Sequence, residues 1–176
     1  MRNEEEKMAD KVLVAYASKY GATQEIAEKV GEVLKQAGIA IELLPLKKVK
    51  KPETYKAAII GAAVYIGQWY KPMTKFLKKN ESALAAMPVW LFSDGPSGKG
   101  DPVELLKGWK YPVMLQAVLD NIKPKDTAVF GGALNVDKMK GLEKWIVQRV
   151  GGEFGDFRDW DMINAWAKNV AAAIKK

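Results

Sequence analysis

Residues 18–23, SKYGAT, combine the side chains that bind a phosphate with a backbone that can approach one closely. Ser18 and Thr23 provide hydroxyl donors, Lys19 provides a positive charge, and Gly21 allows a tight turn. An apolar stretch precedes this segment and a helical pattern follows it, so the free N–H groups of a first helical turn are expected here. We therefore predict a phosphate-binding turn. The alternative for this segment alone is a strand-to-helix turn whose hydroxyls are solvated.

The turn belongs to neither of two common nucleotide-binding classes. Its spacing fits neither G-x-x-x-x-G-K-[ST] nor G-x-G-x-x-G. A P-loop and a dinucleotide-binding turn are therefore not indicated.

Two further segments carry residues suited to a flat ligand. Residues 64–70, VYIGQWY, are predicted to form a loop in which Tyr65, Trp69 and Tyr70 could stack on a heteroaromatic ring. Residues 93–101, SDGPSGKGD, hold three glycines that permit close backbone approach and offer N–H groups to ring carbonyls. The alternatives are that the aromatic rings pack on a neighbouring helix and that the glycines form an ordinary mobile loop.

Apolar patterning predicts the elements that position these segments. Five apolar runs of strand length alternate with stretches of helical periodicity. The predicted strands are 12–17, 39–46, 57–63, 88–92 and 126–132. The predicted helices are 22–37, one that starts near Pro72, short pieces within 102–121, 138–150 and a closing helix over 163–174. This alternation predicts an α/β fold, a doubly wound parallel sheet with helices on both faces, in which ligands bind beyond the carboxyl ends of the strands.

Composition limits the chemistry. The chain has 176 residues, 48% of them hydrophobic and 28% charged, which predicts one domain over 11–176 after a flexible lead-in, 1–10. It has no cysteine and no histidine, which excludes disulfides, thiolate nucleophiles, Ser-His-Asp triads and typical zinc or iron–sulfur sites. We expect no metal site, and we expect the chemistry to depend on a bound cofactor.

Charge and hydropathy bear on location and partners. The polar, acidic N-terminus and the lack of an apolar run of membrane-spanning length predict a cytoplasmic protein. The net charge is +7, with the densest basic cluster at residues 47–51. Aromatic residues do not interleave with that cluster, so a solvated basic surface is favoured over nucleic-acid binding.

The three unusual segments follow predicted strands one, three and four, and should meet at the point where the strand order reverses. A phosphate at one end and a planar ring with amide-like edges at the other together describe FMN. A phosphorylatable receiver domain fits less well, because it needs clustered acids after the first strand. The residues at the end of that strand, Tyr16, Ala17 and Ser18, include no acid.

Four segments carry a resemblance to a known family: YASKYGATQEIA, IIGAAVYIGQWY, GGAL and VGGEFGDFRDWDMINAWA. The chain from about Val12 to Ala171 resembles the flavodoxin-like FMN-binding family, and within it the group of menaquinone-dependent protoporphyrinogen IX dehydrogenases. The resemblance implies a five-stranded parallel sheet in the order 2-1-3-4-5. It also implies cofactor contacts from sixteen residues: Ser18, Lys19, Tyr20, Gly21, Ala22 and Thr23 at the phosphate, and Val64, Tyr65, Ile66, Gly67, Trp69, Ser93, Asp94, Gly95, Pro96 and Ser97 around the ring.

Three functions are compatible with these observations. The first is an FMN-dependent oxidoreductase that oxidises a porphyrinogen or reduces a quinone, with no catalytic residue assigned and with peripheral membrane contact as one option. The second is a non-enzymatic electron carrier that docks to redox partner proteins. The third is a flavodoxin-like fold that has lost FMN and serves as an interaction module. The helix over 138–150, which includes Trp145, is interpreted as packing in the core, and the alternatives are a flat apolar substrate or a membrane surface.

Overall fold

The computed structural model describes residues 10–149, 151 and 153–176. The predicted lead-in, apart from Asp10, and residue 150 at the predicted end of a helix lie outside this range. None of the helices described is both long enough and apolar enough to cross a membrane.

The main sheet has five parallel strands: β1 (Val12–Ala17), β2 (Ile41–Pro45), β3 (Ala57–Tyr65), β5 (Val89–Asp94) and β6 (Asp126–Phe130). Their spatial order is β2-β1-β3-β5-β6, and a short strand, β4 (Gln68–Trp69), pairs antiparallel with β3. A separate antiparallel pair is formed by β7 (Ala133–Leu134) and β8 (Gly155–Asp156). When the five parallel strands are numbered without β4, their order is 2-1-3-4-5. The predicted five-stranded parallel sheet and its strand order are therefore confirmed.

Seven helices are described: α1 (Ala22–Gln36), α2 (Lys71–Lys79), α3 (Glu81–Ala85), α4 (Pro102–Leu105), α5 (Gln116–Ile122), α6 (Gly141–Arg149) and α7 (Trp160–Ile174). Short 3-10 turns occupy Leu46–Lys48, Pro52–Thr54, Val113–Leu115 and Val136–Lys138.

Alternate residues of β1 pack into two separate hydrophobic cores. Val12 and Val14 pack towards α1 and α7, whereas Leu13 and Ala15 pack towards α2, α3 and α5. All four side chains are fully buried. A strand covered on both faces needs a continuous apolar sequence, and each Val or Leu buried in this way contributes about 1.5–3 kcal/mol.

The predicted loop over residues 64–70 is wrong, because this segment is a β-hairpin. β3 runs on to Tyr65, the chain reverses at Ile66 and Gly67, and β4 returns with Val64 opposite Trp69. Ile66 and Gly67 both have positive φ angles, of 50° and 65°, which is the conformation of a tight two-residue hairpin turn. The pattern of apolar residues did not reveal the turn because Ile rarely adopts a positive φ.

The last predicted strand ends earlier than expected, at Phe130 rather than at residue 132. At Gly131 the chain passes so close to the backbone of Phe157 that a Cβ atom would lie 2.0 Å from the Phe157 carbonyl oxygen. The next residue, Gly132, accepts a hydrogen bond of 3.0 Å from the Phe157 N–H. These contacts bring the segment after β6 to the carboxyl edge of the sheet.

Candidate functional site

A cavity of about 440 Å³ opens at the carboxyl ends of β1, β3 and β5. The chain leaves β1 towards β2 and later returns to β3, so the strand order reverses between β1 and β3. Open α/β sheets bind ligands at such a point. The volume lies within the range of small-molecule sites.

The turn after β1 forms one end of the cavity. Gly21, with a φ of 103°, immediately precedes α1, and its N–H donates to Ser18 Oγ over 3.0 Å. Across the described residues, no side chain caps this end of α1. Thr23 is fully buried, and its Oγ1 has no hydrogen-bond partner among the residues described. An uncapped helix start beside a buried, unpartnered hydroxyl suits an anionic ligand.

Two lysines lie beside this turn, and they have different partners. Lys19, which the sequence placed at the mouth, forms an ion pair with Glu143 of α6. This contact, with the Lys140 N–H, lowers the pKa of Glu143 to about 2. Lys138 Nζ donates to the Tyr20 carbonyl oxygen over 3.3 Å and lies 3.7 Å from where a Cβ on Gly21 would stand. Lys138 is not recognisable as a site residue from the sequence, because only the folded chain brings it to the turn.

The hairpin supplies an aromatic wall. The rings of Tyr20 and Tyr65 meet edge to face at 6.2 Å between centroids, and those of Tyr65 and Tyr70 at 5.8 Å. Trp69 lines the cavity but is only 3% exposed, and its ring packs edge to face on Trp109. The contact with Trp109 is internal packing, although not on a helix, and the predicted stacking of Trp69 on a heteroaromatic ring stays a prediction.

The end of β5 forms the floor. Ser93 and Asp94 are buried, and Ser93 Oγ and Asp94 Oδ1 find no partner in the described part of the chain. Burial raises the pKa of Asp94 to about 6, although the neighbouring Thr23 hydroxyl and the Arg158 charge act in the opposite direction. The Gly95 N–H donates to the Phe130 carbonyl over 3.3 Å, which anchors the start of the glycine-rich loop.

Close backbone packing fixes this floor against the strands beside it. A Cβ on Gly95 would lie 2.6 Å from Val64 Cβ, and one on Gly132 would lie 3.1 Å from Gly95 Cα. The Gly132 N–H also donates to the Pro96 carbonyl over 3.0 Å. The alternative of an ordinary mobile loop therefore does not describe residues 95 and 96.

A fourth wall comes from the segment after β6, whose helix was predicted to pack in the core, with contact to a flat apolar substrate as an alternative. Its apolar lining residues are Leu134, Met139, Ile146 and Val147. The interpretation of the helix over 138–150 as core packing is wrong for α6, since no residue of 141–149 is buried. Leu142 is 70% exposed and Trp145 54% exposed. Periodicity revealed the helix, but it could not show that α6 lies over the cavity instead of against the sheet.

Twelve of the sixteen predicted site residues line the cavity: Ser18, Lys19, Tyr20, Ala22, Thr23, Val64, Tyr65, Ile66, Trp69, Asp94, Gly95 and Ser97. The other four lie next to it. Gly21 shapes the turn, Gly67 lies at the hairpin tip, Ser93 is buried under the floor, and the Pro96 carbonyl accepts from Gly132.

This arrangement is that of a flavodoxin-type protein, and the comparisons with known proteins agree. The family model described as a flavodoxin domain matches residues 13–160, so the chain belongs to that family. A relative, protoporphyrinogen IX dehydrogenase [quinone] of Escherichia coli strain K12, is 23% identical over 177 residues, covering 94% of this chain and 97% of the relative.

Solved structures show the same fold. A flavodoxin from the domain Archaea has a TM-score of 0.62 at 13% identity and covers 94% of this chain and 99% of its own. The rubredoxin oxygen:oxidoreductase of Desulfovibrio gigas has a TM-score of 0.60 at 14% identity, covering 98% of this chain and 38% of its own. Together with the relative, the family membership supports a flavodoxin-type redox role.

Proposed function

We propose that the protein binds FMN in this cavity and acts as an FMN-dependent oxidoreductase. One observation carries the proposal: an uncapped helix start and a buried, unpartnered Thr23 hydroxyl lie at one end of a cavity with aromatic and apolar walls. A fold that had lost its ligand would be expected to bury apolar side chains there, because an unsatisfied buried hydroxyl is costly.

The phosphate would be held by the turn after β1. The N–H groups at the start of α1 and the hydroxyl of Thr23 supply neutral donors. Lys138 adds positive charge from outside the turn, whereas the amino group of Lys19 is paired with Glu143. The donor set matches an anion with several acceptor oxygens.

The ring would lie between the hairpin and the end of β5. Tyr65 provides an aromatic side chain, and the Gly95 backbone permits close approach, since it has no Cβ. Asp94 would offer a polar atom from the floor of the cavity. These residues would bind and orient the group and exclude water from it.

Bound FMN supplies the transfer of one or two electrons, and the protein sets the electrostatics around it. A chain with a net charge of +7 favours added negative charge more than an acidic chain does. We expect a flavin that accepts electrons from a substrate more readily than one in an acidic protein would.

We propose a porphyrinogen or a quinone as the substrate. The relative's name supports these classes. The apolar wall made by Leu134, Met139, Ile146 and Val147 suits a flat apolar molecule. Exposed Leu142 and Trp145 next to that wall would allow contact with a membrane that holds such a molecule.

Electron transfer to protein partners is the second candidate. Ile66, 71% exposed at the tip of the hairpin and lining the cavity, is a suitable apolar contact for a docking protein.

Steady-state turnover separates the two candidates. The FMN-loaded protein should oxidise a porphyrinogen with a soluble quinone as acceptor and no other protein present. If neither compound reacts until protein donors and acceptors are added, the carrier function replaces the enzymatic one.

A further inference from the structure

Asp94 is the one buried carboxylic acid among the residues that the structure describes. It ends β5 near the centre of the sheet, is 3% exposed and lines the cavity. Its Oδ1 has no hydrogen-bond partner within the described ranges. Burial of a carboxylate with one oxygen left without a partner is costly, so this group requires an explanation beyond packing.

The groups that face Asp94 offset the effect of its burial only in part. On its two neighbouring strands it lies opposite Ala63 and Phe130, which are apolar. Thr23 of α1 is uncharged, and burial raises the pKa of Tyr65 on β3, which keeps that phenol neutral.

Arg158, the positive charge that acts on Asp94, forms ion pairs with two other acids. Its Nη1 donates to Glu25 Oε2 over 2.6 Å, and its Nη2 donates to Asp156 Oδ2 over 2.6 Å. The guanidinium also lies 4.7 Å from the centre of the Trp160 ring. These two carboxylates weaken the field of Arg158 at Asp94, and burial remains the largest influence on the Asp94 pKa.

We propose that Asp94 couples ligand binding in this cavity to the uptake of one proton by its carboxyl group. This inference rests on the proposed function, because the ligand considered is a flavin. The small exposed part of Asp94 faces the cavity, where solvent can hydrate it. A planar ring that fills the cavity displaces this water, and the carboxyl then takes a proton from solution. Its new O–H can donate to an acceptor on the ring edge.

The sign of the pH dependence follows from linkage. The pKa of Asp94 is about 6 without ligand, and the ligand raises it further. A ligand that raises a pKa binds more tightly at low pH. Affinity should fall by about tenfold between pH 6 and pH 7.5 if the bound pKa is near 8.

The test is isothermal titration calorimetry of the full chain with riboflavin and with FMN at pH 7, in two buffers of different ionisation enthalpy. Riboflavin is the informative probe, because it has no phosphate that titrates near this pH. We expect uptake of about one proton per riboflavin bound. Asp94→Asn should still bind riboflavin but take up none, while Asp101→Asn, a change at an exposed acid on the same loop, should behave like the wild type.

Proton uptake that persists in Asp94→Asn, or wild-type binding with no uptake, would overturn the role of Asp94 and leave FMN binding intact. No binding of either ligand would overturn the proposed function as well. If Asp94→Asn does not fold, the wild-type affinity for riboflavin between pH 6 and pH 7.5 decides, because a constant affinity contradicts the inference.

Discussion

The side chains of Lys19 and Glu143, 124 positions apart in the sequence, form an ion pair across the mouth of the cavity. Lys19 lies on the turn after β1 and Glu143 lies in the first turn of α6. No residue of 141–149 is buried, and this pair is one contact between α6 and the turn after β1. A second contact, from Lys138 Nζ to the Tyr20 carbonyl, anchors the segment just before α6.

Glu143→Gln should make FMN enter and leave the site faster. The neutral side chain cannot hold Lys19, so α6 should move away from the turn more often. We expect dissociation to accelerate a few-fold, because exposed ion pairs are weak. Stopped-flow flavin fluorescence measures the rate, and raised salt should accelerate the wild type but not the variant. Glu104→Gln, a change at an exposed glutamate on α4, is the control, and equal rates in all three proteins would rule out this role for α6.

Lys138→Gln should weaken FMN binding without weakening riboflavin binding. The variant removes a positive charge beside the turn, and we expect the dissociation constant of FMN to rise about fivefold. Fluorescence titration with each ligand measures both effects. Lys140→Gln changes an exposed lysine two residues away and should leave both affinities unchanged. If Lys138→Gln affects both ligands equally, Lys138 does not act through the phosphate.

Thr23→Val combined with Ser18→Ala should also discriminate between the two ligands. Each hydrogen bond to a charged group is worth about 1.5–3 kcal/mol, so loss of the Thr23 donor alone should weaken FMN binding at least about tenfold. Riboflavin binding should change little. Because Ser18 Oγ accepts from the Gly21 N–H, thermal unfolding should be measured as well, to show that the turn survives. Equal losses for both ligands would count against a phosphate site here.

Gly131→Ala should destabilise the fold without any ligand. The new Cβ would lie 2.0 Å from the Phe157 carbonyl oxygen, so the backbone must shift. We expect a loss of about 2–4 kcal/mol in the free energy of unfolding, measured by urea denaturation. Gly141→Ala, at the first residue of α6 with nothing within 4 Å of the new Cβ, should be neutral or slightly stabilising. A similar free energy for both variants would show that the contact at residue 131 is not tight.

The sequence was sufficient for the sheet and for the turn after β1. The apolar run 12–17 requires burial on both faces, and Gly21 supplies the positive φ from which α1 starts. These features depend on local residues, so patterns of five to ten residues reveal them. The hairpin at Ile66 was not predictable in this way, because tertiary contacts override the preference of Ile for negative φ.

The fourth wall of the cavity could not be predicted for a different reason. Met139, Leu142, Trp145 and Ile146 show a helical spacing, but spacing does not reveal what a helix covers. Lys138 and Glu143 contact the turn after β1 from 118 and 124 positions away in the sequence, a separation that no local pattern reveals. Asp94 lay within a predicted binding loop, yet its burial became visible only with the strands on either side.

Equilibrium titration of the purified, ligand-free protein with FMN is the decisive measurement. We expect one FMN bound per chain, quenching of the flavin fluorescence by the aromatic wall, and an affinity for FMN at least about tenfold higher than for riboflavin, since the phosphate gains charged hydrogen bonds. Flavin fluorescence that stays unchanged at saturating protein would show that the cavity does not bind FMN.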